Sequence, residues 1–155
     1  MTTFFDTIES PLGLIEIRAA DSAVTDVRFV ARKDGAPRSN PVVRNAAQQL
    51  QEYFAGKRRD FQFPLAPGGT EFQKSVWSQL LRVPFGTTAS YRDIAAAIGN
   101  PRATRAVGAA NGSNPIAIVV PCHRIIGSNG HLTGYGSGLW RKEWLLLHEG
   151  AEFKG

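Results

Sequence analysis

Apolar and polar positions alternate early in the chain and recur at helical spacing later, so the change of period divides the sequence. Phe4 to Ile8 and Leu14 to Arg18 read as strands flanking Ser10-Pro11-Leu12-Gly13, a turn-forming string. Leu14, Ile15 and Ile17 keep the second run apolar. Val24 to Val30 adds a third strand, apolar at Val24, Val27 and Phe29, and the three predict a small antiparallel sheet. After a polar loop at 33–40, Asn40-Pro41 offers a capping side chain followed by proline at the first helical position. Val42, Val43, Ala46, Leu50, Tyr53 and Phe54 then follow at helical spacing, and Gly56 ends the helix. Phe61, Phe63 and Leu65 alternate and predict another short strand.

Pro67-Gly68-Gly69 is the boundary signal, separating an N-terminal α/β domain (1–66) from a mainly helical domain (70–155). Thr70 with Gln73 makes a capping box, and Phe72, Val76, Trp77, Leu80 and Leu81 form one stripe closed by Pro84-Phe85-Gly86. Residues 90–110 read as two short helices. Ser90 caps the first, Ile94, Ala95 and Ile98 face inward, Gly99-Asn100-Pro101 turns, and Pro101 starts the second. That second helix is small apart from Arg102, Arg105 and Val107. Small side chains at Ala103, Ala106 and Gly108 let a helix lie against a DNA groove while arginine reaches phosphates or bases. A tight helix–helix contact inside the core is the other reading. Ile116 to Val120 is a continuous apolar run and predicts a buried strand, bent by Pro121. Leu139 to Glu149 predicts a last helix, packed through Leu139, Trp140, Trp144, Leu145 and Leu147.

Composition narrows the class. Hydrophobic residues make up 43% of the 155, enough for a core, and no apolar run approaches the roughly 20 residues of a membrane helix. The N-terminus, with no basic start, does not read as a secretory signal. The net charge of +5 is uneven: residues 1–69 carry nine Lys/Arg against eight Asp/Glu, and residues 70–155 carry nine against five. The excess fits a polyanion partner or ordinary surface charge. One cysteine permits no internal disulfide and no structural zinc pair, and it suits a reducing, intracellular site.

That cysteine, Cys122, follows the predicted bend and precedes His123. Thiolate is the nucleophilic form, and a histidine can take the proton. Neighbouring strand side chains point apart, so contact between the two needs a bent backbone or a bridging water. Glu149 is one of several carboxylates able to orient the imidazole. An isolated cysteine is otherwise an inert small hydrophobe. His131 and His148 read as surface or structural residues, and their spacing from Cys122 matches no zinc pattern. Gly134-Tyr135-Gly136-Ser137-Gly138 reads as a pocket lid carrying one aromatic.

The string Ile118-Val119-Val120-Pro121-Cys122-His123-Arg124-Ile125-Ile126-Gly127 resembles the signature of the O6-alkylguanine-DNA alkyltransferases. The likeness extends through Pro84-Phe85-Gly86, Ser90-Tyr91, Asn100-Pro101, Arg105 to Gly108, Asn114-Pro115, Gly134-Tyr135, Arg141 to Leu146 and His148-Glu149-Gly150, and so covers residues 70–150. It implies an α/β (α+β) fold: a small ribonuclease-H-like sheet-plus-helix domain, then a winged-helix-like domain with a helix-turn-helix. It implies Cys122 as alkyl acceptor, His123 as base through a water, Glu149 orienting His123, and Asn114 fixing the active-site turn. Arg105 becomes the finger that enters the duplex, with Ala103, Ala106 and Gly108 along the DNA in the minor groove. By the same resemblance Tyr91 is expected to help rotate the phosphate, line the pocket and donate a proton to guanine N3. The resemblance further implies that the carbonyls of Cys122 and Ile125 read the guanine amino group and that Tyr135, Gly136 and Ser137 close over the base. The implied partner is double-stranded DNA carrying O6-alkylguanine, and O4-alkylthymine after it. No cofactor, metal or membrane is implied. The implied protein is a cytoplasmic monomer, nucleoid-associated in a bacterium, with or without clustering on DNA. The loop departs from the family pattern of a small residue and two glycines after the tyrosine, being Tyr135-Gly136-Ser137-Gly138 here. A damage sensor lacking the acceptor cysteine, a helix-turn-helix regulator and a cysteine hydrolase are the competing readings. The retained Cys122, the Pro121-Cys122-His123-Arg124 string and the need of hydrolysis for an oxyanion hole weigh against them in turn.

Overall fold

A computed structural model describes residues 3–155. The chain divides into two compact units, the first running to Gly68 and adding Pro115–Val119, the second comprising Gly69–Asn114 and Val120–Gly155.

In the first unit, β1 (Phe4–Ile8), β2 (Leu14–Ala19) and β3 (Val24–Val30) form an antiparallel sheet in the order β1-β2-β3. The period-two pattern sets the register: Ile8 pairs with Ile15, and Ile17 with Val27. Helix α1 (Pro41–Phe54) covers the sheet with Val43, Ala46, Leu50 and Tyr53, all buried. It starts as expected, the Asn40 side chain accepting from the Val43 N–H at 2.9 Å with Pro41 next. Glu16 is a buried carboxylate on β2, held by Arg18 and Arg28 at 2.6 and 2.8 Å.

Two expected strands do not form. Residues 61–65 meet the sheet only through a Val24–Leu65 bridge, because Val24 alone bonds to Pro64 and Ala66 there. The run 116–120 makes one parallel bridge, Val27 to Ile116, and then turns back. The Val119 N–H bonds to the Ala117 carbonyl at 2.8 Å around Ile118, whose φ is +71°. A β-branched residue there is a backbone outlier costing of order 1–3 kcal/mol. Ile116, Ile118, Val119 and Val120 are all buried, so the apolar run records burial and not extension.

The second unit holds α2 (Glu71–Leu80), a parallel pair β4 (Ala89–Ser90) and β5 (Ile125–Ile126), α3 (Tyr91–Ala97), α4 (Thr104–Gly112) and α5 (Leu139–Glu149). Capping boxes start α2 at Thr70/Gln73 and α3 at Ser90/Asp93. Val76, Trp77 and Leu80 bury one face of α2, and the Trp77 indole N–H ties it to the Ala110 carbonyl of α4 at 2.8 Å. Leu81, expected in that stripe, is half exposed, since it caps the helix end. Pro101 does not begin α4. It occupies the second position of a turn closed by the Ala103 N–H and the Asn100 carbonyl, and the helix starts at Thr104. Val107 and Ala110 face inward, while Thr104, Arg105, Ala106 and Ala109 are exposed.

Helix α5 has the expected ends and a different buried face. Lys142, Leu145, Leu146 and Glu149 are buried, whereas Leu139, Trp140 and Leu147 are 48%, 55% and 62% exposed and Trp144 is half-buried. The inward stripe begins and ends in a charged residue, and both charges belong to the site below. Gly86 backs this helix: its φ is +81°, and a Cβ there would stand 3.1 Å from the Glu149 carbonyl oxygen. Gly86→Ala is expected to cost more than about 1 kcal/mol and to lower Tm by several degrees. An unchanged Tm would show that the approach is not needed. No helix among the described residues is long and apolar enough to cross a membrane.

Candidate active site

Past Val120 the chain tightens again. The Cys122 N–H bonds to the Val120 carbonyl at 2.8 Å around Pro121 (φ −83°, ψ 62°), and Cys122–Arg124 follow as one turn of 3-10 helix. The expected bend is therefore present, and it carries three consecutive side chains into the interior: Cys122 is 6% exposed, His123 0% and Arg124 6%. Two asparagines hold the turn. Asn114 donates to the Val120 carbonyl at 2.8 Å, and Asn111, near the end of α4, donates to the Cys122 carbonyl at 3.3 Å.

Glu149 organises the residues that follow. Its Oε2 accepts from His123 Nε2 at 2.8 Å and from Arg124 Nη2 at 3.0 Å, while Oε1 accepts from Arg124 Nε at 2.8 Å. Arg124 Nη1 donates to the Val83 carbonyl at 2.7 Å. Burial opposes the charge on Glu149, but the bonds from His123 and Arg124 outweigh it and hold the carboxyl far below its ordinary range. For His123 burial wins: it pushes the imidazole below its ordinary value despite Glu149, so the ring is neutral at neutral pH. A carboxylate only accepts, so the single ring proton sits on Nε2. Nδ1 is left as a bare lone pair, buried and without a hydrogen-bond partner. That is a base waiting for a proton.

Burial likewise raises the Cys122 thiol, opposed by Asn114, by the positive charge of Lys142 and by Tyr135. The Tyr135 hydroxyl is itself buried without a nitrogen or oxygen partner, and its pKa is raised by burial and by the sulfur beside it. Lys142, fully buried, donates to the carbonyls of Ile125 at 2.5 Å and Thr133 at 3.1 Å. Burial lowers its pKa to about 8 while the nearby sulfur opposes the fall. The site thus rests as a neutral thiol and a neutral imidazole between two buried ion-forming groups.

The sequence candidates fall into two sets. Cys122, His123, Glu149, Asn114, Ile125 and Tyr135 meet around the turn. Tyr91 joins them through the pocket loop, its hydroxyl 2.6 Å from Thr133 Oγ1. Gly136 and Ser137 lie on that loop, where the Ser137 carbonyl is held by Arg141 Nη1 at 2.6 Å. Arg105, Ala106, Gly108 and Ala103 lie on or just before α4, with Arg105 and Ala106 exposed. Arg124, Lys142, Asn111 and Thr133 were not singled out. A charged pair seven residues apart on one inward stripe, Lys142 and Glu149, was the legible sign for two of the contacts. Among the described residues no group of three His, Cys, Asp or Glu is placed to hold a metal ion.

Thiol chemistry carried on a helix-turn-helix unit is the class this geometry defines. Known proteins agree. Two family models match, the ribonuclease-like domain of 6-O-methylguanine DNA methyltransferase over residues 3–67 and its DNA binding domain over residues 71–151. The methylated-DNA--protein-cysteine methyltransferase of Methanosarcina acetivorans is 49% identical over 154 residues, covering 96% of this chain and 99% of that one. The constitutive enzyme of that name from Bacillus subtilis is 44% identical, covering 97% and 98%. A crystal structure of Mycobacterium tuberculosis OGT in complex with DNA superposes with a TM-score of 0.87 at 45% identity, covering 94% of this chain and 92% of that one. The chain belongs to the methylated-DNA--protein-cysteine methyltransferase family.

Proposed function

We propose that this protein repairs double-stranded DNA by moving the alkyl group of O6-alkylguanine, and secondarily of O4-alkylthymine, onto Cys122, once per molecule. The observation that carries the reading is His123: neutral, fixed by Glu149 through Nε2, with a bare Nδ1 in the buried turn of the only cysteine. One bridging water lets Nδ1 take the thiol proton. The sulfur lone pair then forms a bond to the alkyl carbon as the carbon–O6 bond breaks, its electrons passing to the guanine ring. Proton donation by the Tyr91 hydroxyl to guanine N3 neutralises that charge. The product is a thioether, which thiol–disulfide exchange cannot cleave, so the protein is consumed and needs no cofactor.

A base inside a duplex must leave the stack to reach a buried sulfur, and unstacking is cheapest at a damaged pair. The exposed small face of α4 fits a groove, with Arg105 filling the place of the extruded base. In this reading the carbonyls of Cys122 and Ile125 meet the guanine amino group; Lys142 donates to that of Ile125, while Asn111 and the Ile125 N–H already donate to that of Cys122. Tyr135, Gly136 and Ser137 close the pocket. A monomer suffices for this chemistry, and a lone reactive thiol suits the cytoplasm.

Peptide mass spectrometry after incubation with a duplex carrying one O6-methylguanine is the test. One methyl group on Cys122, gained once, is the expected result; a bound duplex with unmodified Cys122 leaves only a damage sensor. Arg105→Ala is expected to slow repair of the duplex by about tenfold or more while leaving reaction with the free alkylated base within about twofold. Equal losses on both substrates would remove the finger role.

A further inference from the structure

We propose that Thr133 is a positioning residue that aims the Tyr91 hydroxyl and directs its proton toward the bound base. The inference rests on the role given to Tyr91 above. Tyr91 is the first residue of α3, where the Ser90/Asp93 capping box fixes its backbone. Its ring passes under α4, with Cδ1 3.9 Å from where a Cβ on Gly108 would stand. The far end of the ring meets Thr133 Oγ1 at 2.6 Å, a short hydroxyl–hydroxyl bond.

Thr133 is itself anchored through its backbone. Its carbonyl accepts from the buried Lys142 ammonium, which also grips the Ile125 carbonyl. Its methyl group lies 3.5 Å from where a Cβ on Gly127 would stand, beside the turn that follows Ile126. Its hydroxyl has Tyr91. With its backbone tied to the buried Lys142 ammonium, Thr133 presents its hydroxyl at a defined place for the phenol.

Each hydroxyl carries one hydrogen. If Tyr91 gives its hydrogen to the purine, the bond between the two residues must use the hydrogen of Thr133. Thr133 then donates, and the Tyr91 oxygen accepts. A phenol that accepts a hydrogen bond is polarised into a better donor. Thr133 therefore sets both the ring position and the direction and strength of the donation. The same residue belongs to the pocket loop, so seating of the loop and aiming of Tyr91 are one event.

The test is single-turnover transfer from a duplex carrying O6-methylguanine, comparing wild type with Thr133→Val, Thr133→Ser, Tyr91→Phe and the Tyr91→Phe/Thr133→Val double variant. Valine keeps the shape of threonine and removes the hydroxyl. Thr133→Val is expected to slow transfer about five- to tenfold, the worth of one hydrogen bond. Thr133→Ser restores it, Tyr91→Phe loses at least as much as Thr133→Val, and the double variant is no slower than Tyr91→Phe alone. Carboxamidomethylation of Cys122 by iodoacetamide proceeds at the wild-type rate in Thr133→Val and Thr133→Ser. Additive losses, a serine variant as slow as the valine one, or a valine variant with altered iodoacetamide reactivity each overturn the proposal. A Tyr91→Phe variant as fast as wild type removes the Tyr91 role itself and the proposal with it. Absence of transfer by wild type, in contrast, refutes the repair function.

Discussion

Cys122→Ser is expected to abolish alkyl transfer, with a loss on the order of 10⁴-fold or more, while duplex binding stays within about twofold. The side chain changes by one atom and the site is 6% exposed, so packing is kept. The chemistry is not. Sulfur is a soft nucleophile suited to a saturated carbon, and it acts as the thiolate. Burial already raises the Cys122 thiol, and the site compensates with Lys142, Asn114, Tyr135 and the free Nδ1 of His123. An alcohol is far harder to ionise than a thiol, and the same four groups cannot make up that difference. The exposed α4 face proposed to meet DNA is left untouched, so transfer and binding are expected to separate. The pair of measurements is single-turnover transfer and fluorescence anisotropy with the same alkylated duplex. A serine variant that still clears the lesion would place the acceptor elsewhere; one that no longer binds would show the turn to be part of the DNA-facing surface.

Much of this molecule was legible because local signals and burial agreed. Phe4–Ile8, Val24–Val30 and Leu139–Glu149 were bounded correctly by period and punctuation. Asn40, Thr70 and Ser90 capped where capping chemistry places them. Pro101 apart, where a turn proline was read as a helix start, the failures share one physical source, the use of apolarity as a sign of regular structure. Ile116 to Val120 is apolar because it is buried on a strained turn, and its hydrogen bonds close over two residues instead of along a strand. In α5 the large apolar residues were assigned inward, yet Trp140 and Leu147 face out and Lys142 and Glu149 face in. A buried charge is costly unless paired, so its presence on an inward stripe is itself a functional signal. Cys122 and His123 could be read from their string; residue chemistry alone leaves Glu149 one of several carboxylates, the family resemblance singles it out, and the fold sets it against His123. Arg124, Asn111 and Thr133 act through backbone carbonyls or partners 25, 11 and 42 residues away, and no local pattern announces those contacts.

Glu149→Gln is expected to destabilise the protein by about 3–5 kcal/mol at pH 7, the usual cost of breaking a buried ion pair from one side. Glu149 accepts three hydrogen bonds, two from Arg124 and one from His123. Glutamine offers one oxygen, and its NH₂ then faces another donor. A buried guanidinium that had both carboxylate oxygens and the Val83 carbonyl keeps the carbonyl and at most one uncharged oxygen. The loss reaches the chemistry as well, because His123 no longer needs its proton on Nε2, and a proton on Nδ1 blocks the base. Denaturant unfolding reads the stability and single-turnover transfer reads the tautomer. The same residues set the acid limit of the wild type. Burial keeps His123 below its ordinary 6.5, so the unfolded chain binds that proton first and stability falls as the pH drops through 6.5. The Glu149 carboxyl is held below its ordinary 4.5, so its contribution is complete above that value. It is lost below 4.5, at up to about 1.4 kcal/mol for each pH unit. Stability that stayed flat between pH 7 and pH 4, or a glutamine variant as stable and as fast as wild type, would mean that His123, Arg124 and Glu149 do not form the charged, tautomer-setting network on which the neutral resting site depends.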